Sequence, residues 1–253
     1  MRRIVTATAL FAIVALAGLI GVAVSTAGAQ TTTTTTPSYG AALEARLAKE
    51  WQDPALAKEI VAGLGADTLA SFAVKVPLAQ VATSPFLAYR PARVPAKSVD
   101  SLIVYAFGNR VDAAGATTAG PTNEQLAKAV RGFVAKHKVP VFAQQEVAQF
   151  LTGVPNVTSI DPVVGPDGKI VYLSTAGVAD QAEQKGATGT VGVVCFADHA
   201  GRCLLTTQKA GLTAGIPKGI TLPATYDPQS GQPWTRDRKS YLQTDLVGRL
   251  ATL

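Results

Sequence analysis

"TVGVVCFADHAGRCLLTTQKAGL", Thr190 to Leu212, decides the fold. Its first eight residues are an apolar run rich in valine, as expected of a strand covered on both faces. Asp198-His199-Ala200-Gly201-Arg202 interrupts the run, and "AGRCLLTTQKAGL" reads as a helix closed by Gly211. A buried strand feeding directly into a helix is half of a β–α–β unit, and the pattern recurs on either side. "SLIVYAF" (from Ser101) is a second buried strand, ending at Gly108. "GPTNEQLAKAVRGFVAKHKV" follows as a helix capped by Thr122 or Asn123, with Leu126, Val130, Phe133 and Val134 on one face. "VPVFA" is a third strand. "VTSI" and "KIVYL" are strand candidates joined through Pro166-Asp167-Gly168, a turn signal. "STAGVADQAEQKG" is a helix with Ser174 or Thr175 as cap. "GITLP" reads as the last short strand, and "RKSYLQTDLVGRLATL" as a terminal helix with Tyr241, Leu242, Leu246 and Leu250 to one side. Strands alternating with helices imply an α/β fold, a Rossmann-like three-layer sandwich with a mainly parallel sheet, over residues 101–253.

Upstream, residues 40–100 read as a helical appendage followed by a proline-rich connector. Leu43, Leu47 and Trp51 share a helix face, Asp53-Pro54 opens a second helix, and Gly63 and Gly65 stop it. Further upstream, "TTTTTTP" (Thr31–Pro37) has no apolar partners and reads as a linker, within residues 30–39. Residues 1–29 begin with Arg2 and Arg3, continue in an apolar run from Ile4, and end in Ala27-Gly28-Ala29. That is the layout of a secretory signal cut after Ala29. The run also reaches the ~20 residues that span a bilayer, so an uncleaved N-terminal membrane anchor is the alternative. Either reading places the domain outside the cytoplasm, secreted or held at the membrane.

Without Arg2 and Arg3 the formal net charge falls from +6 to +4. The chain has no Lys/Arg cluster and only 6% aromatic residues, so no nucleic-acid partner is expected. The fingerprint G-x-G-x-x-G is absent, which implies a nucleotide fold without nucleotide and no cofactor. In parallel sheets, ligands bind beyond the carboxyl ends of the strands, where strand order reverses. If the strands ending at Gly108 and Ala197 are neighbours there, their loops share one crevice. His199 and Arg202 then sit at a helix N-terminus suited to a phosphate or carboxylate, with His199 the acid–base candidate and Asp198 beside it. Asn109 and Arg110 would line the opposite wall, and Glu124 would orient His199 or Arg110.

Three stretches carry a family resemblance: "VYAFGNR", "GPTNEQLAKA" with its early Glu124, and "VVCFADHAGRCLLTTQKAGL" with His-x-x-Arg. Over about residues 100–225 the chain resembles the bacterial YdcF/SanA/ElyC-like envelope proteins. The resemblance implies a Rossmann-like fold and a role at the cell envelope, not a particular reaction.

Other chemistries fit less well. Zinc needs three or four ligands at usable spacing, and His137 lies on a distant helix end, so no metal site is expected. No G-x-S-x-G elbow occurs, and Ser174 and Ser230 have no evident base. Cys195 and Cys203 are the only cysteines, which in an exported chain favours a disulfide over two buried thiols. Tyr226 to Lys239 is a polar loop read as structural cover, with a lid over the crevice as the alternative. An alternative function is non-catalytic: an envelope or secreted interaction protein whose helical appendage is a partner surface.

Overall fold

The computed structural model describes residues 38–166, 170–171 and 173–250. Residues 1–37, which hold the expected signal or anchor and the threonine run, lie outside the described residues. Three helices open the described chain: α1 (Tyr39–Trp51), α2 (Pro54–Gly63) and α3 (Gly65–Lys75). Ser38 caps α1 through Ala41 N, and Asp53 caps α2 through Leu56 N with Pro54 in its first turn. β1 (Arg93–Val94), β2 (Ser101–Val104), a hairpin of β3 (Asn109–Val111) and β4 (Thr117–Ala119), α4 (Pro121–Val134), β5 (Val141–Gln144), the short α5 (Gln145–Ala148) and β6 (Val157–Ile160) follow. A second hairpin, β7 (Val163–Val164) and β8 (Ile170–Val171), leads to α6 (Thr175–Gln184), β9 (Thr190–Val194), α7 (Ala200–Lys209), β10 (Thr213–Pro217) and α8 (Arg238–Leu250).

Six strands form one all-parallel sheet in the order β1-β10-β9-β2-β5-β6. From β2 the chain steps outward to β5 and β6, then crosses back through α6 to β9 and β10. Strand order therefore reverses between β2 and β9, which pair from Ser101↔Val191 to Val104↔Val194. The fold is the expected α/β Rossmann-like sandwich. Alternation along β2 sends Leu102 and Val104 to a core shared with α4 and α5, and Ile103 and Tyr105 to a core shared with α6 and α7.

Some elements differ from the sequence reading. The last strand is "TAGIP" rather than "GITLP", because the chain after Pro217 turns and Ile220 packs into the α4 core. Of "KIVYL", the described Ile170 and Val171 form β8, outside the main sheet, and Asp167-Gly168 of the expected turn lie outside the described residues. Neither Thr122 nor Asn123 caps α4; Gly120 is at the cap and both polar residues are buried. The proline-rich connector supplies β1, which covers the β10 edge. The helical segment is no free appendage. Leu43, Leu47, Trp51, Ile60 and Phe72 form a third core with Tyr241, Leu242, Leu246 and Leu250 of α8. Its apolar faces are therefore taken up inside the domain. No described helix is long and apolar enough to cross a membrane.

Candidate functional site

The reversal between β2 and β9 places two strand ends side by side. Phe107, beyond β2, stacks on Phe196, beyond β9, with ring centroids 4.0 Å apart, and Tyr226 and Tyr241 meet both rings. This aromatic floor fixes the loops on either side. Asn123, fully buried at the start of α4, accepts from Phe107 N at 2.9 Å and donates to Gly108 O at 2.8 Å. Gly108 has φ +68, and a Cβ there would stand 3.1 Å from Ser230 Oγ, so the turn requires glycine.

Above the floor lies a cleft of about 130 Å³. Its walls include Gln144, Thr175, His199, Arg202, Trp234 and Tyr241. His199 occupies the cap position of α7 and is buried. Its Nδ1 lies 2.6 Å from the Tyr241 hydroxyl and 3.4 Å from Arg202 Nε, and its Nε2 lies 3.5 Å from Thr175 Oγ1. The Tyr241 hydroxyl donates to Asp245 at 3.3 Å. Asp245, fully buried, also pairs with Arg202 at 2.9 Å and with buried Arg249 at 2.7 Å. Burial, reinforced by Arg202 and Arg249, holds the His199 imidazole well below its ordinary value, so the ring is neutral. Burial, then Asp245, pushes the Tyr241 phenol well up, so it remains protonated.

Two guanidinium groups thus meet at the buried Asp245 carboxylate. Arg202, 27% exposed on its side chain, presents its guanidinium to the cleft. The cleft's described lining contains no carboxylate. Two helices begin there. Thr175 is the first residue of α6, whose cap Ser174 accepts from Gly177 N, and His199 precedes α7. Helix N-termini offer unpaired N–H groups and partial positive charge to anions.

The structure thus brings His199 and Arg202 together as expected and places the other expected residues elsewhere. Arg110 turns outward on the β3–β4 hairpin and forms a two-pronged pair with Asp227, at 2.8 and 3.0 Å. Asn109 starts the same hairpin, its carbonyl accepting from Gly231 N and Ser230 Oγ. Glu124 is exposed on α4 and orients neither His199 nor Arg110. Asp198 accepts from Tyr226 (2.8 Å) and Arg238 (3.0 Å), tying the α7 turn to the terminal helix outside the cleft's described lining. The expected disulfide is not formed. Cys195 and Cys203 are free, fully buried thiols in the core under α6 and α7. Both behave there as small apolar side chains, and the turn is closed by His199 N to Phe196 O and Ala197 N to Pro223 O.

Thr175, Tyr241, Asp245 and Gln144 enter the site without having been singled out for it. The loop read as cover supplies Gln232, Trp234 and Thr235 to the wall. Ser230 is buried against Thr235 and Asn109 O, and Ser174 is used as a cap. Among the described residues, no group of three or more His, Cys, Asp or Glu is placed to hold a metal. Larger hollows, of 400 Å³ along α4 and 510 Å³ near Gly153, are lined by no residue from the loops after β2 and β9 and gather no buried polar side chains. Comparison with known protein families, curated proteins and solved structures finds no match to the chain.

Proposed function

We propose that the protein binds a small anionic group, phosphate or carboxylate, in the cleft between the carboxyl ends of β2 and β9. The carrying observation is the partly exposed Arg202 guanidinium, set beside two helix N-termini in a cleft whose described lining holds no acid. Neutral His199, with Nε2 toward Thr175 and the cleft, is the group placed to take or give a proton at the ligand. A role outside the cytoplasm, alongside the YdcF/SanA/ElyC-like envelope proteins, belongs to the same proposal and rests on residues 1–29 and the His199-x-x-Arg202 stretch.

Inorganic phosphate is the simplest probe. Calorimetry and thermal shift should register binding to the wild type, and Arg202→Gln should weaken it about 10- to 100-fold, the loss expected for one charged hydrogen bond. His199→Gln should weaken it less. No phosphate-dependent shift in wild type, or equal shifts in wild type and both variants, would remove the proposal.

A further inference from the structure

A second, larger cleft opens on the same edge of the sheet. It measures 290 Å³ and is lined by Thr117, Thr118 and Ala119 of β4, by Gln145, Glu146 and Gln149 at and after α5, and by Pro162. It adjoins the anion cleft in the chain itself: Gln144, at the end of β5, lines the first, and Gln145 lines the second. Consecutive Cα atoms stand ~3.8 Å apart, so the two linings meet at the end of β5.

Their chemistry differs. The first presents Arg202 and no carboxylate. The second presents two primary amides, two threonine hydroxyls and one carboxylate, with no cation among its described lining residues. Glu146 would repel a second anionic group and accept hydrogen bonds from hydroxyls. Gln145, Gln149, Thr117 and Thr118 can donate or accept. Such a wall suits a neutral, hydroxyl-rich group.

We infer that the natural ligand is a phosphate ester of a sugar or similar polyol, its phosphate on Arg202 and its hydroxyls on Gln145, Glu146, Gln149 and the β4 threonines. This inference rests on the proposed anion site and gives that site its substrate class. Gln144 is the hinge between the two halves. Its Oε1 accepts from Ala106 N at 3.0 Å, which holds the β5 end against the β2 end.

Titration calorimetry on the full chain with inorganic phosphate, glucose 6-phosphate and glucose tests it. Glucose 6-phosphate should bind at least about 10-fold tighter than phosphate, from the added hydrogen bonds. The double variant Gln145→Ala/Gln149→Ala, altered at two exposed positions, should remove that advantage and leave phosphate binding unchanged. Glu146→Gln should reduce the advantage, while Arg202→Gln weakens both ligands together. Phosphatidylinositol vesicles, included as a further arm, would assign the source to a lipid headgroup if they bind tighter than glucose 6-phosphate with the same variant pattern. Equal affinity of phosphate and glucose 6-phosphate in wild type overturns the inference and leaves the anion site standing. Absence of phosphate binding fails the anion site itself.

Discussion

Asp245 has no contact with solvent and holds Arg202, Arg249 and the Tyr241 hydroxyl at once. Arg249 is further pinned by the carbonyls of Phe86 and Ala88 and by the Tyr89 ring, 3.8 Å from its guanidinium carbon. A charged group so fully engaged cannot swing into the cleft, so the mobile share of the positive charge belongs to Arg202. His199, buried and beside both arginines, is held neutral. In the unfolded chain it takes a proton near its ordinary value of 6.5. Below that pH the unfolded state binds the extra proton, so stability falls as pH falls, by up to about 1.4 kcal/mol per pH unit until the folded ring titrates. Melting temperatures from pH 7.5 to 5 should therefore drop less steeply in His199→Gln than in wild type; parallel slopes would mean that His199 titrates alike in both states. His199 and Arg202 were legible because they stand together where an apolar run ends. Tyr241, Asp245 and Arg249 were not, although they repeat every four residues along α8. In the sequence that stripe is hidden beside Leu242, Leu246 and Leu250, and its partner His199 lies 42 residues from Tyr241.

Helix α7 owes its position to Gly201. A methyl group there would stand 2.5 Å from the Ala88 carbonyl and 2.8 Å from an Arg249 nitrogen. Replacing glycine by alanine in a helix gains up to about 1 kcal/mol of intrinsic propensity, whereas forcing an atom into a close-packed contact typically costs about 1–3 kcal/mol. The clash should win, because both neighbours are themselves held. Gly201→Ala is expected to lower the urea midpoint and to weaken phosphate binding through Arg202; an unchanged midpoint would show that α7 can slide. At this scale the sequence was most informative where local chemistry decides: the Asp53-Pro54 start of α2, the Ser174 cap of α6, and the apolar runs of β2, β5 and β9. It misled where distant contacts decide. The β3–β4 hairpin carries Arg110 to Asp227, a partner 117 residues away, and no local pattern announces that pairing.

For the whole molecule, the parallel sheet followed from alternation alone, but the place of the first three helices did not. Their periodic apolar faces are equally consistent with a docking surface or with a core, and only the partner tells which. The partner is α8, so deleting residues 40–75 should abolish cooperative unfolding rather than merely release a binding partner. A sharp thermal transition in that deletion variant would restore the helices as an accessory.

The union of α1–α3 with α8 also sets an order of events in time. Arg249 reaches Phe86 across 163 residues, and Lys75 donates to the Leu250 carbonyl across 175. Contacts that distant in sequence slow folding, since the ends of a long segment must be brought together before anything is gained. Helices α1–α3 leave the ribosome before α8 and must wait for it, with Leu43, Trp51 and Phe72 unsheltered meanwhile. A nascent chain with its closing helix still unmade is the form of this protein most in need of a chaperone.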